Sequence, residues 1–414
     1  MKTTITFFIF FLLVAVVLST CRENEVKPTD FLSIQTTDSP AAVGSSEPNL
    51  SVGDDGRVYL SWIEPADESR HTLRFAIRKK SGWSQPRTIA VGANWFVNWA
   101  DFPSLVAFAD SSLAAHWLVK SGEGAYAYNV NIACSSDGGK NWSKAMVPHR
   151  DGTETEHGFV SMLPWMSDQL FVVWLDGRNF SQTGDGPDGS PSNEMTLRFI
   201  RMDKNGQLFN EQILDTRVCD CCPTAAVRTP NGAIVVYRDR SANEIRDISI
   251  VRFHNGAWSK PRTLYSDGWK INGCPVNGPA IAAEGADVAV AWFTMANDTP
   301  RVKVIFSNNE GSDFGQPIIV DDGEPLGRVD VVLLSDGAAL VSWMEATDNG
   351  AEIRVRRILP DNVREPSITV SKSGKERASG FPRMVRSGDE IVFAWTQAGS
   401  PATVRTAVAK LNGK

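Results

Sequence analysis

Cys219-Asp220-Cys221-Cys222 puts three thiols and a carboxylate on four consecutive residues, and Cys274 follows at about one structural repeat's distance. Three kinds of chemistry suit that set. Oxidised, Cys219 or Cys221 would join Cys274, and Cys221-Cys222 would be open to a strained vicinal bridge. Reduced, the thiolates of Cys219, Cys221, Cys222 and Cys274 suit a soft cation, copper(I) or zinc(II), with His157 or Asp220 as a further ligand. The spacing is not that of a zinc finger. A redox or nucleophilic thiol is the third reading. Cys134 lies in an apolar run and reads as a core thiol.

Charged residues form a second group. Arg238-Asp239-Arg240 can grip a carboxylate or a sugar hydroxyl, or, with Arg246, tie neighbouring modules in a salt-bridge lattice; both readings stand. Cleaving a glycoside takes two carboxyl groups about 5–9.5 Å apart, and Asp239, Glu156 and Asp101 are the candidates, with Arg238, Arg240, Arg328 and Arg377 as anion clamps. Glu64, Asp176 with Arg178, and Glu345 stand in comparable loops. Trp95 and Trp99, close to Asp101, suit either stacking on a sugar ring or packing between modules. The stretch from Asn179 to Asn193 is rich in Gly, Ser, Asp and Pro and reads as a lid or a surface loop.

A repeat must position these residues. Apolar strands end in an aromatic at Trp62, Trp117, Trp174, Tyr237, Trp292, Trp343 and Trp395, spaced between 51 and 63 residues apart. Runs such as LFVVW and VAVAW, bounded by Gly, Asp and Asn, are buried strands and lack the 3.6-residue period of a helix. One short strand precedes each, and two more follow. Four strands in seven copies predict an all-β, seven-bladed β-propeller of four-stranded blades. The last copy lacks a fourth strand, while residues 31–39 have strand character and no copy of their own. These N-terminal residues are therefore expected to close the ring. In such a ring the loops into each first strand and out of each second strand open on one face, where the thiols and charges would converge.

Ser135-Ser136-Asp137-Gly138-Gly139-Lys140-Asn141-Trp142 resembles the Asp box, S-x-D-x-G-x-x-W, of the sialidase-like (BNR) propeller superfamily, and Ser307 to Phe314 is similar to a degraded copy. The resemblance implies a structural turn between third and fourth strands, with Ser135, Asp137, Gly139 and Trp142 as its key residues. It carries the fold further than the activity. Sialidases use three Arg, a Tyr nucleophile assisted by a Glu, and an Asp acid, with the first Arg in an F/Y-R-I-P motif. Here Glu47-Pro48-Asn49-Leu50 stands in that place, only five Tyr are present, and seven blades replace the usual six. An exo-sialidase or related glycoside hydrolase activity is thus the alternative that the resemblance offers.

At the N-terminus, Lys2, an apolar stretch from Phe7 to Leu18, and Leu18-Ser19-Thr20-Cys21 resemble a bacterial lipoprotein signal with Cys21 as the lipidated residue. The plainer reading is an ordinary secretory signal. The apolar stretch is too short for a stable bilayer span. Residues 1–20 are accordingly read as the signal peptide, 21–30 as a hydrophilic tether and 31–414 as one propeller domain. The chain is expected to be exported, monomeric and anchored in the cell envelope, at the outer membrane or facing the periplasm. With 42 Lys and Arg against 48 Asp and Glu, and a net charge of −6, it has no cationic surface for nucleic acid. The preferred reading is a cell-envelope propeller binding a glycan or a soft metal ion near the thiol cluster. A glycan-active enzyme is second, and a scaffold for partner proteins third.

Overall fold

Val, Ile, Leu and aromatic residues dominate the second strands because these strands are covered on both sides. Leu170 to Trp174 are all without solvent exposure, as expected where one sheet is packed between two others. The computed structural model describes residues 31–180 and 194–411, and among these the helical segments are three single 3₁₀ turns. The signal, the tether and Cys21 lie outside the described residues, as does 181–193, the greater part of the long Gly- and Ser-rich segment.

The strands form seven antiparallel sheets, each running outward from an inner strand. The inner strands are Ser46–Val52, Ser104–Ala107, His157–Trp165, Ala225–Thr229, Ala280–Glu284, Pro325–Leu333 and Arg383–Ser387, numbered here as blades 1 to 7. The structure is the seven-bladed propeller read from the repeat. Seven apolar clusters fill the seven blade interfaces in turn. One joins blade 7 back to blade 1 through Val392, Ala394 and Val404 against Leu60 and Trp62. Leu32–Thr37 pairs in register with the last strand, from Leu32 opposite Leu411 to Thr37 opposite Thr406, and supplies the fourth strand of blade 7.

The outer edges are weaker than the repeat suggests. In blade 2 the fourth strand shrinks to one bridge, Ile132 with Met146, held by main-chain bonds of 2.8 Å in both directions. Pro148 follows two residues later and has no N–H to extend the ladder. The Asp137 turn fastens this edge: its Oδ1 accepts from the backbone of Lys140 and Asn141, both at 2.9 Å, and Gly139 N donates to Ser135 Oγ at 2.8 Å. Asn309 takes the corresponding role in blade 5, accepting from Asp313 N at 3.0 Å. Trp142 packs edge-on to Phe75 of blade 1.

Candidate functional site at the axial mouth

Three inner strands begin with a register shift: between Ser46 and Asn49, Gly158 and Ser161, and Gly327 and Asp330. At each, a residue with a side chain takes a left-handed backbone, with φ of 53° at Glu47, 52° at Phe159 and 54° at Arg328. Bulges of this kind re-aim side chains and concentrate at functional sites. Here they turn the start of the inner strands toward a cavity of about 300 Å³ on the propeller axis. Every blade contributes to its wall, which carries polar groups from Asn49, Ser104, Ser161, Thr224, Asp330 and Arg383, together with Asp101, Phe102 and Phe381.

Asp101 holds the blade 3 bulge by accepting from Phe159 N at 2.8 Å. Its other oxygen lies 3.0 Å from the Tyr128 hydroxyl, which in turn lies 2.9 Å from Glu156 Oε1. One phenolic proton serves two carboxyl groups, so both contacts are attractive only when a carboxyl is protonated. Their surroundings favour that state. Burial pushes the Asp101 carboxyl up to about 7. Burial also raises Glu156, to about 8, helped by the charges of Asp101, Asp220 and Cys274. Gly158 is needed here because a Cβ would run into Asp101 and Tyr128. Tyr128 itself is buried, stacked on Phe96 with ring centroids 4.0 Å apart, and was not singled out by sequence. Its one available signal was a Tyr opening the third strand of its repeat.

The thiol loop lies alongside. Cys219 Sγ is 3.6 Å from Cys221 Sγ and 3.5 Å from Cys222 Sγ. Cys274, from the next blade, groups with Cys221 and Asp220. Cys219 and Cys222 are buried, Cys221 is half-buried and Cys274 exposed. Arg246, itself buried, directs Nη1 at Cys219 Sγ from 3.2 Å. Burial opposes ionisation of Cys219, but bonds from Cys221 and Cys222 and the Arg246 charge outweigh it and hold this thiol well below its ordinary value. Cys134 sits apart in the core, pushed up to about 11 by burial.

His157 does not join the thiols. Its ring is stacked on His149 with centroids 3.8 Å apart and nearly parallel planes, and Nε2 is 3.2 Å from Asp151 Oδ2. His149 Nδ1 is 3.2 Å from the same oxygen, and Arg178 Nη2 is 3.3 Å from it. Imidazole lone pairs lie in the ring plane, so parallel stacked rings cannot both point at an ion between them. With a guanidinium already at the shared oxygen, the group is a buried ionic network, and neither His149 nor Asp151 had been picked out from the sequence.

The expected anion clamps need correction. Arg238 has 1% exposure and donates to the carbonyls of Asn277, Arg246 and Phe293 at 2.6–2.8 Å, which ties blade 4 to blade 5. Arg328 is likewise turned inward, onto the carbonyls of Glu376 and Gly380 and over the Trp99 ring. Main-chain carbonyls have taken the donors that a substrate carboxylate would need. Arg240 is paired with Glu244 at 2.9 Å, and Arg377 is exposed on a 3₁₀ turn, apart from the carboxyl pair. Asp239 accepts from Arg240 N and Ser249 Oγ; burial and the nearby Asp215 raise its carboxyl, but it stands outside the Asp101–Tyr128–Glu156 group. Trp95 packs on Trp117, and Trp99 stacks on Phe381, so both are packing residues rather than a sugar platform.

No protein-family model and no curated protein matches the chain. Solved structures match its fold. An α-L-arabinanase from Penicillium chrysogenum, complexed with arabinobiose, aligns at 12% identity and a TM-score of 0.52 over 92% of this chain and 99% of that one. The polysaccharide lyase Uly1 aligns at 8% identity and a TM-score of 0.53 over 89% and 90%. The α-L-arabinofuranosidase Arb93A of Fusarium graminearum, with an iminosugar inhibitor, aligns at 12% identity and 0.51 over 89% and 93%. At these identities the likeness is one of fold alone, that of a β-propeller.

Proposed function

We propose that this protein binds glycans at the axial mouth of its propeller, as a lipoprotein held at the cell envelope through Cys21. The observation that carries the reading is the axial cavity itself, lined by all seven blades, six of which contribute polar side chains, with the Asp101–Tyr128–Glu156 group beside it. Small numbers of placed polar groups on an apolar wall suit a sugar, whose hydroxyls need partners. The propellers of similar fold named above are glycan-active enzymes, one of them complexed with arabinobiose. With Arg238 and Arg328 committed to main-chain carbonyls, recognition rests on hydroxyl contacts rather than on a three-Arg grip.

A second reading, glycan cleavage, is favoured by the carboxyl pair. Asp101 and Glu156 meet one phenol, from 3.0 and 2.9 Å, which brings two carboxyl groups together as glycoside cleavage requires. Glu156, the more exposed of the two, would act as general acid, with Asp101 positioning it through Tyr128. The test is a panel of neutral and acidic oligosaccharides, scored first for thermal stabilisation and then for product release. Binding predicts that some member stabilises both the wild type and Glu156→Gln. Cleavage further predicts product that falls by about 10²–10⁴-fold in Glu156→Gln. A panel without stabilisation or product sinks both readings, and a Cys21→Ala protein that still partitions with membranes sinks the anchor.

A further inference from the structure

The sulfurs of Cys219, Cys221 and Cys222 lie within 4.8 Å of one another. Bonded sulfurs stand about 2.03–2.05 Å apart. Thiolates that share one d¹⁰ ion at about 2.3 Å from each stand roughly 3.8–4.0 Å apart. The separations here, 3.5 and 3.6 Å, are near the second arrangement and far from the first.

The loop is held from several sides. Cys219 N donates to Arg238 O at 3.1 Å, and Arg238 is itself pinned by three carbonyls. Gly278 of blade 5 presses on the Pro223 carbonyl so closely that no Cβ would fit. Arg246 adds an independent observation. A disulfide sulfur offers a buried guanidinium no charge, whereas a thiolate does, and Arg246 Nη1 is directed at Cys219 Sγ while Nη2 holds Glu244 at 3.0 Å.

We propose that Cys219, Cys221 and Cys222 form a trigonal thiolate site for one copper(I) ion. Cys274 and Asp220 stand on its open side, where the ion enters through Cys221. Copper(I) is chosen over zinc(II) because three sulfurs are close together, whereas structural zinc takes four ligands. Cys274 groups with Cys221 and Asp220 but not with Cys219 or Cys222, so it does not complete a tetrahedron. Three thiolates around a singly charged ion leave the site doubly negative, and Arg246 offsets part of that charge. Loading releases the thiol protons to solvent and transfers no electron.

The test uses the reduced full-length protein and copper(I) alone, delivered anaerobically from a chelator complex. Expected are one bound equivalent, a thiolate-to-metal absorption band, and alkylation of Cys219, Cys221 and Cys222 slowed by about tenfold or more while Cys274 keeps its rate. Cys219→Ser and Cys222→Ser should each lose the band. Should those variants fail to fold, the alkylation footprint of the wild-type protein decides. Three thiols that stay equally reactive under copper(I) overturn the proposal. So does recovery of Cys219 or Cys222 in a disulfide when thiols are trapped inside the producing cells.

Discussion

Trp174 donates its indole N–H to the carboxylate of Asp176 at 2.7 Å, two residues on along the same strand, and both side chains are fully buried. Trp62 with Glu64 at 2.9 Å and Trp343 with Glu345 at 2.5 Å repeat the relationship in blades 1 and 6. In blade 5 Trp292 reaches Asp267 at 2.7 Å, and in blade 4 Tyr237 reaches Asp215 at 2.6 Å. In these five of the seven repeats the marking aromatic brings one polar atom into the core and an acidic residue satisfies it, whereas Trp395 Nε1 in blade 7 is buried without such a partner. Glu64, Asp176 and Glu345 are therefore part of the blade rather than free groups at the mouth.

Asp176 also holds Arg178 with two bonds of 2.7 Å. Asp176→Ala would strand the Trp174 N–H and leave that guanidinium without its closest partner. The expected loss is about 3 kcal/mol in urea unfolding, with a smaller loss for Asp176→Asn, which keeps an acceptor. Equal losses for the two variants would mean that charge has no part in it.

Glu156 and Asp101 set a pH dependence whose sign runs against the usual carboxylate. Their folded values, about 8 and about 7, lie above the unfolded ones. Stability from these groups is thus complete below about pH 4 and is lost as pH rises to about 8. Thermal midpoints taken from about pH 5 to about pH 9 should fall more steeply for wild type than for Glu156→Gln. Parallel curves would refute the protonated pair. Asp176 acts in the opposite sense: hydrogen bonds and charge from Arg178 outweigh its burial and lower its carboxyl, so its contribution is lost in acid.

Gly139 and Gly138 separate crowding from backbone strain. Both have left-handed backbones, φ 83° and 71°. A Cβ at Gly139 would strike Phe75, whereas at Gly138 it would meet nothing. Gly138→Ala should cost about 1 kcal/mol and Gly139→Ala about 2–4 kcal/mol, read from denaturant midpoints.

Removing residues up to Thr37 should leave the edge of Thr403–Leu411 unpaired and take Leu32 and Ile34 out of the apolar cluster between blades 6 and 7. The truncated protein is expected to lose its sharp unfolding transition and to self-associate through the free edge. A peptide spanning Phe31 to Ser39 added in trans should raise its thermal midpoint, and an unchanged transition in the truncated protein would contradict closure by this strand.

The aromatic-ended strands, their period and the orphan strand at the N-terminus were enough to specify seven blades and the closing partner, because each blade obeys the same local code and burial on both faces writes itself as a continuous apolar run. Proximity of Cys274 to Cys221 was legible for the same reason: residues one repeat apart on equivalent loops become neighbours. Only the tertiary structure decided what the charged groups do. Arg238 and Arg328 give their donors to the carbonyls of neighbouring segments, and Tyr128 takes its two carboxyl partners from loops 27 and 28 residues away. His157 was drawn to His149 and Asp151 rather than to sulfur. Periodicity dictates which side of a strand is buried; the partner that satisfies a buried polar atom depends on how separate loops pack around the axis.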